Sequence, residues 1–431
     1  MKFISTRGAA PAVGLSAAIV AGLAPVGGLY VPEFLPGLHS EDFDGCETLA
    51  HVASRLLAPF FDGDPLASAL PDICAQAFDF ATPLKFLPGA DSFVLELFHG
   101  PTAAFKDVGA RFLAACLCRL QAAESKSLTI LVATSGDTGA AVAAAFHRLP
   151  GLRVVVLYPD GRVSPRQAHQ LGCFGDNITT LRVAGSFDDC QALVKRALND
   201  SALQTSTPMS SANSISLGRL LPQMSYYAWA SLQYWRAHGQ PLNFVVPTGN
   251  LGNAMAAVLA RAMRLPIGDI ALATNENRVL PDFFSGGEYS PRSSLATLAN
   301  AMDVGAPSNF ERLCWLFPDA DDLRKQFVAI SVSDAEIRAT LRDYHARWNE
   351  TLCPHTATAA NVLTELRSRG ADGPWAIVAT AHPAKFDSVV EPLIGAAIPI
   401  PPALAALPAR PAHSEPLAAD YGDFRNVLRA L

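Results

Sequence analysis

The chain has 431 residues, of which 50% are hydrophobic, and its 33 basic and 39 acidic residues give a formal net charge of −6. A chain of this length buries a large core in roughly two to three domains, which excludes disordered, collagen-like and small disulfide-rich proteins. With a net negative charge, the protein has no overall positive potential to attract nucleic acid, so a small-molecule partner is the better prediction.

Residues 1–90 predict a mainly helical N-terminal domain, with helices near residues 47–57 and 70–78. The most apolar stretch, residues 13–29, is interrupted by two glycines and a proline, which makes it a poor membrane span. No clean apolar block precedes a cleavage site near the first residue, so export is not expected. We therefore predict a cytoplasmic protein with no membrane association.

The 8 cysteines are scattered along the chain, and no C-x-x-C pair or histidine-rich run has the spacing of a zinc site. Reduced and mostly buried thiols are the expected state in a cytosolic chain. The sequence thus predicts no metal site.

From about residue 128 onward, short β-branched runs alternate with alanine-rich stretches, the pattern of parallel strands joined by crossover helices. The predicted strands are residues 128–133, 153–157, 178–183, 244–246, 270–273 and 376–379, with helices that include 165–171, 187–198 and 254–263. The predicted fold class is α/β, with two lobes of open parallel sheet and crossover helices behind the helical N-terminal domain. The predicted domains are 1–90, a first lobe over 91–225, a second lobe over 226–400, and a C-terminal strap and helix over 401–431.

Lys106 stands among apolar neighbours where a helix is predicted to begin, shortly after the turn signal Gly100-Pro101. Desolvation at such a position lowers the pKa of an ammonium group and makes the amine a nucleophile toward carbonyls and a proton carrier. Lys106 is therefore the candidate Schiff-base lysine. The alternative is a surface lysine paired with Asp107, which would be the default interpretation if this motif stood alone.

Two glycine-containing loops, residues 134–139 and 247–253, each follow a predicted strand and precede a predicted helix. Glycines let the backbone approach a ligand, and the amides of a helix N-terminus bind anions. For the first loop alone, simple capping of the helix is an equally good explanation. Both loops would face one crevice of an open parallel sheet, so together with Lys106 they predict a ligand with a phosphate and a second anionic group. Neither loop has the P-loop or dinucleotide fingerprint.

These motifs resemble those of the threonine synthase family. The resemblance rests on residues 99–107, 135–139, 249–253 and 380–386, with support from residues 2–8, 27–33, 211–215 and 354–356. The segments follow the family's order from the first residues to about residue 390. The resemblance therefore covers nearly the whole chain and points to the longer, N-terminally extended branch.

The resemblance implies a pyridoxal 5′-phosphate enzyme of the tryptophan-synthase-β-like fold that converts O-phospho-L-homoserine and water to L-threonine and phosphate. It implies that Lys106 forms the Schiff base and later removes the substrate Cα proton. It further implies that Thr380 hydrogen-bonds the pyridine nitrogen through a neutral hydroxyl. The ring is then a weaker electron sink than it would be with a carboxylate partner. The cofactor phosphate would rest on the backbone amides of Gly249, Asn250, Leu251, Gly252 and Asn253.

By the same resemblance, the substrate lies near Thr134, Ser135, Thr138, Asn213 and Arg219. Because the substrate phosphate is doubly anionic, Arg219 is the candidate clamp for it. A structural ion pair on a helix is the alternative for Arg219, and the sequence leaves both open.

Asp137 stands where related enzymes often carry asparagine beside the 3-oxygen of the cofactor. A carboxylate there needs a proton or another donor nearby, so Asp137 is predicted only as a cofactor neighbour. His99, His355 and His382 lie in family-like segments, and we expect each of them to be a satisfied structural histidine.

Other functions remain open at this point. A phospho-lyase on the same fold would keep the lysine and both loops but would release 2-oxobutyrate. A non-catalytic two-lobed anion-binding protein would also suit a crevice between sheets, although it has no use for Lys106. Patterning leaves open whether the protein is a monomer or a homodimer.

Overall fold

A computed structural model describes residues 1–8, 10–88, 92–122 and 124–431. Its strands are β1 (Phe3–Ser5), β2 (Tyr30–Pro32), β3 (Leu84–Leu87), β4 (Ser92–Glu96), β5 (Leu128–Ala133), β6 (Leu152–Pro159), β7 (Ile178–Ala184), β8 (Met209–Ser211), β9 (Leu242–Pro247), β10 (Ile267–Thr274), β11 (Val328–Ser331), β12 (Trp375–Ala379) and β13 (Glu415–Ala418). Within the described ranges, no helix combines the length and the apolar character needed to cross a bilayer.

The α-helices vary from a single turn to four turns in length. They are α1 (Leu15–Ala21), α2 (Leu49–Leu57), α3 (Leu70–Ala77), α4 (Lys106–Gln121), α5 (Asp137–Phe146), α6 (Pro165–Gly172), α7 (Phe187–Leu198), α8 (Ser201–Ser206), α9 (Leu217–Leu220), α10 (Met224–His238), α11 (Gly252–Ala262), α12 (Val279–Phe284), α13 (Phe310–Leu316), α14 (Ala320–Gln326), α15 (Asp334–Trp348), α16 (Pro354–Ser368), α17 (Asp387–Ile394), α18 (Pro402–Ala405) and α19 (Tyr421–Ala430). Short 3₁₀ helices span Pro25–Gly27, Ser40–Phe43, Ala58–Phe61, Ala67–Ala69, Leu221–Gln223, Asn300–Met302 and Pro383–Phe386.

The N-terminal region contains α1 to α3 and a small antiparallel sheet of β1 and β2. Helix α2 begins where the Thr48 hydroxyl accepts a hydrogen bond from the His51 amide, which satisfies one free donor of the first turn. Its buried residues recur at helical spacing, so one face packs into the core against α3 and α10. The two helices predicted in this region are present as α2 and α3, whereas the β1–β2 pair was not predicted.

The first large sheet has the strand order β13-β7-β6-β5-β8, and each neighbouring pair in it is parallel. All residues of β5 are buried, as expected for an apolar strand that is covered by helices on both faces. Helices α5, α6 and α7 connect these strands and pack on the sheet. Strand β13 comes from the C-terminal segment and pairs with β7 at the edge.

The second large sheet has the strand order β11-β10-β9-β12-β4-β3. Its strands are parallel except for the antiparallel β3–β4 pair. Strand β4 is hydrogen-bonded to β12 here, although it lies within the proposed lobe of residues 91–225. The proposed boundary between residues 90 and 91 lies outside the described residues.

Just before Lys106, the chain leaves the second sheet and enters the helices that pack beside the first sheet. Strand β4 belongs to the second sheet, whereas α4 packs against α3, α5 and α9. The strands that were expected to carry the two glycine loops are present as β5 and β9. The predicted α/β class with parallel sheets and crossover helices is confirmed, and ligands of such sheets bind at the carboxyl ends of the strands.

Candidate active site

A closed turn places Lys106 at the first position of α4. The carboxylate of Asp107 accepts hydrogen bonds from the Thr102 amide at 2.8 Å and the Thr102 hydroxyl at 2.7 Å, which ties the helix start to the turn before it. A Cβ atom at Gly100 would lie 2.5 Å from Asp107 Oδ2, so the turn closes only with glycine there. The side chain of Lys106 is thereby aimed from a rigid element rather than from a free loop.

Lys106 has the electrostatic properties of a reactive amine. Burial and then the positive charge of Arg219 lower the pKa of Lys106 to about 7, against the opposing charge of Asp137. Its Nζ lies 4.3 Å from the centre of the Phe105 ring. Near neutral pH, a substantial fraction of this amine is therefore unprotonated and nucleophilic.

The loop between β9 and α11 faces Lys106 across one pocket, which is lined by Lys106, Asp137, Thr380 and residues 247–253. The residue before α11 is Leu251, at a φ of 61°, and no side chain caps the helix. The first amides of a helix have no partner within the helix, so these donors are available to an anion. A Cβ atom at Gly249 would lie 2.8 Å from Met302 Cα, and therefore the loop packs only without a side chain there.

Asn253 presents an unpaired donor at the same helix start. Its Oδ1 accepts hydrogen bonds from Tyr226 at 2.5 Å and Tyr227 at 2.8 Å, which fixes the amide group. Its Nδ2 is buried and has no hydrogen-bond partner among the described residues. Buried polar groups are normally paired, so this Nδ2 indicates a missing acceptor.

Asp137, on the opposite wall, is ion-paired with a residue that the sequence did not single out. Lys385 Nζ lies 2.8 Å from Asp137 Oδ1, and both side chains are almost fully buried. Gln167 Nε2 donates to the same oxygen at 3.1 Å. Burial alone would raise the pKa of Asp137, but Lys385, with His355 and Gln167, brings that pKa below its ordinary value. The donor that a carboxylate requires at this position is therefore Lys385.

Thr380 follows β12 and joins the turn before Lys106. Its carbonyl accepts a hydrogen bond from the Phe105 amide at 2.8 Å, and the His382 amide donates to the Ala103 carbonyl at 3.0 Å. The two segments form an antiparallel bridge between Ala104 and Ala381. The end of β12 and the start of α4 therefore form one wall of the pocket.

Comparisons with known proteins agree along the whole chain. Residues 78–383 match the family described as "Pyridoxal-phosphate dependent enzyme", residues 2–78 match "Threonine synthase N terminus", and residues 356–428 match "Threonine synthase, C-terminal". The threonine synthase of Serratia marcescens is 39% identical, with 100% of both chains covered. The chain belongs to the threonine synthase family.

Solved threonine synthases have the same fold over the full chain. The crystal structure of the Escherichia coli threonine synthase has a TM-score of 0.92 at 37% identity and covers 100% of both chains. The pyridoxal-phosphate-bound threonine synthase of Brucella melitensis has a TM-score of 0.89 at 35% identity and covers 100% of this chain and 99% of that chain. The resemblance inferred from the motifs is confirmed, and this threonine synthase family member is a pyridoxal-phosphate-dependent enzyme.

The pocket residues fit this cofactor. A phosphate group suits the uncapped N-terminus of α11 and the unpaired Nδ2 of Asn253, because both offer donors to an anion. An aldehyde requires an amine that is unprotonated near neutral pH, which Lys106 provides. The buried hydroxyl of Thr380 on the same wall offers a neutral partner for a ring nitrogen.

The residues predicted to bind the substrate lie around this pocket rather than in its lining. Thr134 Oγ1 accepts hydrogen bonds from the Gly136 amide at 3.0 Å and the Gly139 amide at 2.9 Å, which fixes the loop. Ser135 lines a neighbouring cavity of about 510 Å³. Thr138 is partly buried on the first turn of α5.

Asn213 and Arg219 come from the segment after β8. The Asn213 side chain bridges the amide and carbonyl of Ala133 at 3.1 and 2.6 Å and so holds the end of β5. Arg219 is buried, and its Nη1 donates to the Ala212 carbonyl at 2.5 Å. Its Nε has no hydrogen-bond partner within the described part of the chain. This buried cation therefore has one donor left for an anion.

Several residues in the pocket lining or in contact with it were not proposed from the sequence. Lys385 and Ser214 lie in segments that resemble the family, residues 380–386 and 211–215, but nothing in their spacing distinguished them. Ala301 and Met302 belong to the 3₁₀ helix Asn300–Met302, in a connection between α12 and α13 that carries no motif. The tyrosine pair that holds Asn253 resembles an ordinary apolar helix face in sequence. Only the three-dimensional contacts identify these residues.

His355 was expected to be a structural histidine, and its contacts fit that role although it lines the pocket. Its Nε2 accepts a hydrogen bond from the Ala301 amide at 3.0 Å, which requires the neutral ring. His382 Nδ1 accepts from the Ala384 amide at 3.2 Å, and His99 Nε2 lies 2.7 Å from Glu96 Oε2. The Ala301 contact makes His355 an acid-sensitive point of the pocket.

Acid is expected to weaken the fold through His355. Burial lowers the pKa of His355 from 6.5 to about 4, so below pH 6.5 the unfolded chain binds a proton that the folded chain rejects. The free energy of unfolding should fall as the pH drops from 6.5 toward 4, by up to about 3 kcal/mol. Urea unfolding of wild type and His355→Gln across this range measures the effect.

The glutamine variant should lose most of that pH dependence, because its amide does not titrate. The matched control is His51→Gln, which changes an exposed histidine on α2 and should keep the wild-type pH dependence. Equal pH slopes for wild type and His355→Gln would contradict this assignment.

Proposed function

We propose that this chain converts O-phospho-L-homoserine and water to L-threonine and inorganic phosphate, with Lys106 as its catalytic residue. The observation that carries the proposal is a single pocket that joins an amine of lowered pKa to an uncapped helix N-terminus. Membership of the threonine synthase family supports the same reaction. We further propose a cytoplasmic enzyme without a nucleic-acid partner, as a monomer or a homodimer.

Lys106, Thr380, Asp137 and the amides of residues 249–253 would hold the cofactor. Bound pyridoxal phosphate supplies an electron sink that withdraws negative charge from the carbon atoms next to the substrate nitrogen. Because Thr380 is a neutral hydroxyl, it would orient a ring nitrogen without adding a negative charge. Asp137 would remain ionised beside Lys106, since its ion pair with Lys385 offsets the free-energy cost of burying the carboxylate.

In its unprotonated form, the Lys106 amine would take the proton from Cα of the substrate. A second proton then leaves Cβ, the bond between Cγ and the phosphate oxygen breaks, and the electron pair leaves with phosphate. Water adds its oxygen at Cβ, and protons return to Cγ and Cα, so threonine and phosphate contain all atoms of the substrate and water. Lys106 is near enough to Arg219 for that charge to lower its pKa, which helps to keep the base unprotonated.

The doubly charged phosphate of the substrate would be held by Arg219, with Thr134, Ser135, Thr138 and Asn213 shaping the surrounding wall. The unpaired Nε of Arg219 supports this role, because a buried cation with a free donor suits a phosphate oxygen. A structural ion pair is less well supported, since Nη1 of Arg219 donates to the backbone carbonyl of Ala212.

Product analysis tests the proposal directly. With O-phosphohomoserine, the purified cofactor-loaded protein should release one phosphate for each threonine formed, measured by phosphate assay and amino-acid chromatography. L-Homoserine, which lacks the phosphate leaving group, is the matched control and should give no threonine. Release of 2-oxobutyrate without threonine would instead assign a phospho-lyase, and absence of both products would leave the anion-binding alternative.

A further inference from the structure

Besides Thr380, the segment after β12 contributes other residues to the pocket and its surroundings. Residues 380–382 are hydrogen-bonded to the turn that precedes Lys106, through the Phe105 amide and the Ala103 carbonyl. Ala103 has a φ of 53°, an uncommon value for a residue with a side chain, so neighbouring contacts must hold the turn in place. Lys385 follows in the same segment, within the 3₁₀ helix Pro383–Phe386.

Lys385 joins both walls of the pocket through one ammonium group. Its Nζ donates to the Thr102 carbonyl at 2.9 Å, in the turn that leads into Lys106. The same Nζ lies 2.8 Å from Asp137 Oδ1, on the first turn of α5 across the pocket. The side chain of Lys385 is only 1% exposed and that of Asp137 only 6%, so water does not compete for either contact.

The partners of Lys385 are themselves restrained. Thr102 is held by the carboxylate of Asp107 through its amide and its hydroxyl. Asp137 is held by Gln167, whose Oε1 accepts a hydrogen bond from Asn300 Nδ2 at 3.1 Å. A movement of Lys385 would therefore disturb the turn of Lys106 and the carboxylate opposite it together.

We propose that Lys385 is a positioning residue, which sets the placement of Lys106 relative to Asp137 by holding the Thr102 carbonyl and the Asp137 carboxylate at once. The inference rests on the proposed role of Lys106 in the reaction. A buried ion pair gives weak stabilisation because desolvation offsets the attraction, so the main effect expected of this pair is to fix geometry. Loss of the ammonium should loosen the turn and leave a buried carboxylate without a counter-charge.

The electrostatic consequence has a definite sign. Burial is the largest influence on Asp137, so without Lys385 its carboxylate should take up a proton. Lys106 then loses the negative charge that favours its protonated form, and its pKa should fall. Lys385→Met and Asp137→Asn should therefore move the acid limb of the pH–rate profile in the same direction, to lower pH. Among the described residues, the charged or titratable groups that face this pair are Lys106, His355, Asp107, His382 and Cys353, and Arg219 faces Lys106.

The test compares the cofactor-loaded wild type with Lys385→Met, Asp137→Asn and the double variant. We expect Lys385→Met to lower kcat roughly 10- to 100-fold with little change in KM, because the reacting amine is misplaced while substrate binding remains. Hydroxylamine should remove the cofactor chromophore several-fold faster, since the link to Lys106 is less protected. Lys325→Met is the matched control, because it removes an exposed ion pair with Asp322 and should change none of these values.

A purely structural role would give a different pattern. If Lys385→Met unfolds at lower urea but keeps the wild-type kcat, acid limb and hydroxylamine rate, the positioning role is wrong. If Lys385→Met does not fold, the double variant is compared with Asp137→Asn, since neither contains an unpaired buried carboxylate. A lower kcat in the double variant supports positioning of the turn, and an equal kcat overturns it. A wild type that forms no threonine refutes the proposed function instead.

Discussion

Replacing Lys106 with alanine is expected to abolish threonine formation and phosphate release from O-phosphohomoserine. The variant loses the amine of lowered pKa and with it both the link to the cofactor aldehyde and the proposed base for the Cα proton. We expect kcat to fall by at least about 10³-fold, because one substitution removes both the cofactor link and the base. Borohydride reduction followed by peptide mapping should label Lys106 in the wild type and give no labelled peptide in the variant.

Lys106→Arg is the matched control for charge. It keeps a cation in the pocket, but a guanidinium stays protonated and forms no stable Schiff base, so it should be as inactive as alanine. The alanine variant should not be less stable to urea than the wild type, because folding holds the pKa of Lys106 well below 10.5 and thus opposes its charged form. The arginine variant keeps its charge in the same buried site beside Arg219, so it should be less stable than the wild type. Threonine formation by either variant at near the wild-type rate would refute the assignment of Lys106.

Gly249→Ala is expected to weaken cofactor binding roughly 10- to 100-fold, the loss that follows when a charge-assisted hydrogen bond worth about 1.5–3 kcal/mol is broken. The added Cβ would lie 2.8 Å from Met302 Cα and 2.9 Å from its carbonyl oxygen. Both are backbone atoms that a rotamer change cannot move, so the loop must shift and carry its amides away from the phosphate. Titration of cofactor-free protein with pyridoxal phosphate, followed by absorbance, gives the dissociation constant.

Gly14→Ala provides the comparison for an added methyl group elsewhere. Gly14 has a φ of −73°, and a Cβ there meets only Asp64 Oδ2 at 3.9 Å, an ordinary contact. This variant should bind the cofactor as the wild type does. If Gly249→Ala also keeps the wild-type dissociation constant, the loop before α11 does not hold the cofactor phosphate.

Local patterns predicted the elements that carry the chemistry. The apolar run 128–133 and the helix 187–198 were predicted at the bounds of β5 and α7, because a fully buried strand and a capped amphipathic helix each have a strong local signal. The start of α4 at Lys106 followed from the Gly-Pro turn before it. The β1–β2 pair was missed, since strands of three residues have too short an alternation to detect.

The remaining features of the structure that the sequence did not predict depend on contacts between residues far apart in the chain. The sequence indicated that Asp137 needs a donor, but nothing local connects it to Lys385, which is brought there by the β12 end. The same holds for β4, whose composition does not indicate whether it joins β5 or β12. Contacts of this kind depend on sheet order, which hydrophobic periodicity does not determine.

The pairing of β4 with β12 also has a kinetic consequence. It joins Phe93 to Ala376, residues at opposite ends of the α/β region, and such distant contacts are slow to form because a long loop must first be closed. Lys106 follows one of these strands and Thr380 the other, so the two sides of the pocket meet only when this late pairing is complete. During refolding, recovery of the cofactor's colour should therefore lag behind recovery of helical circular dichroism and mark the end of the folding reaction.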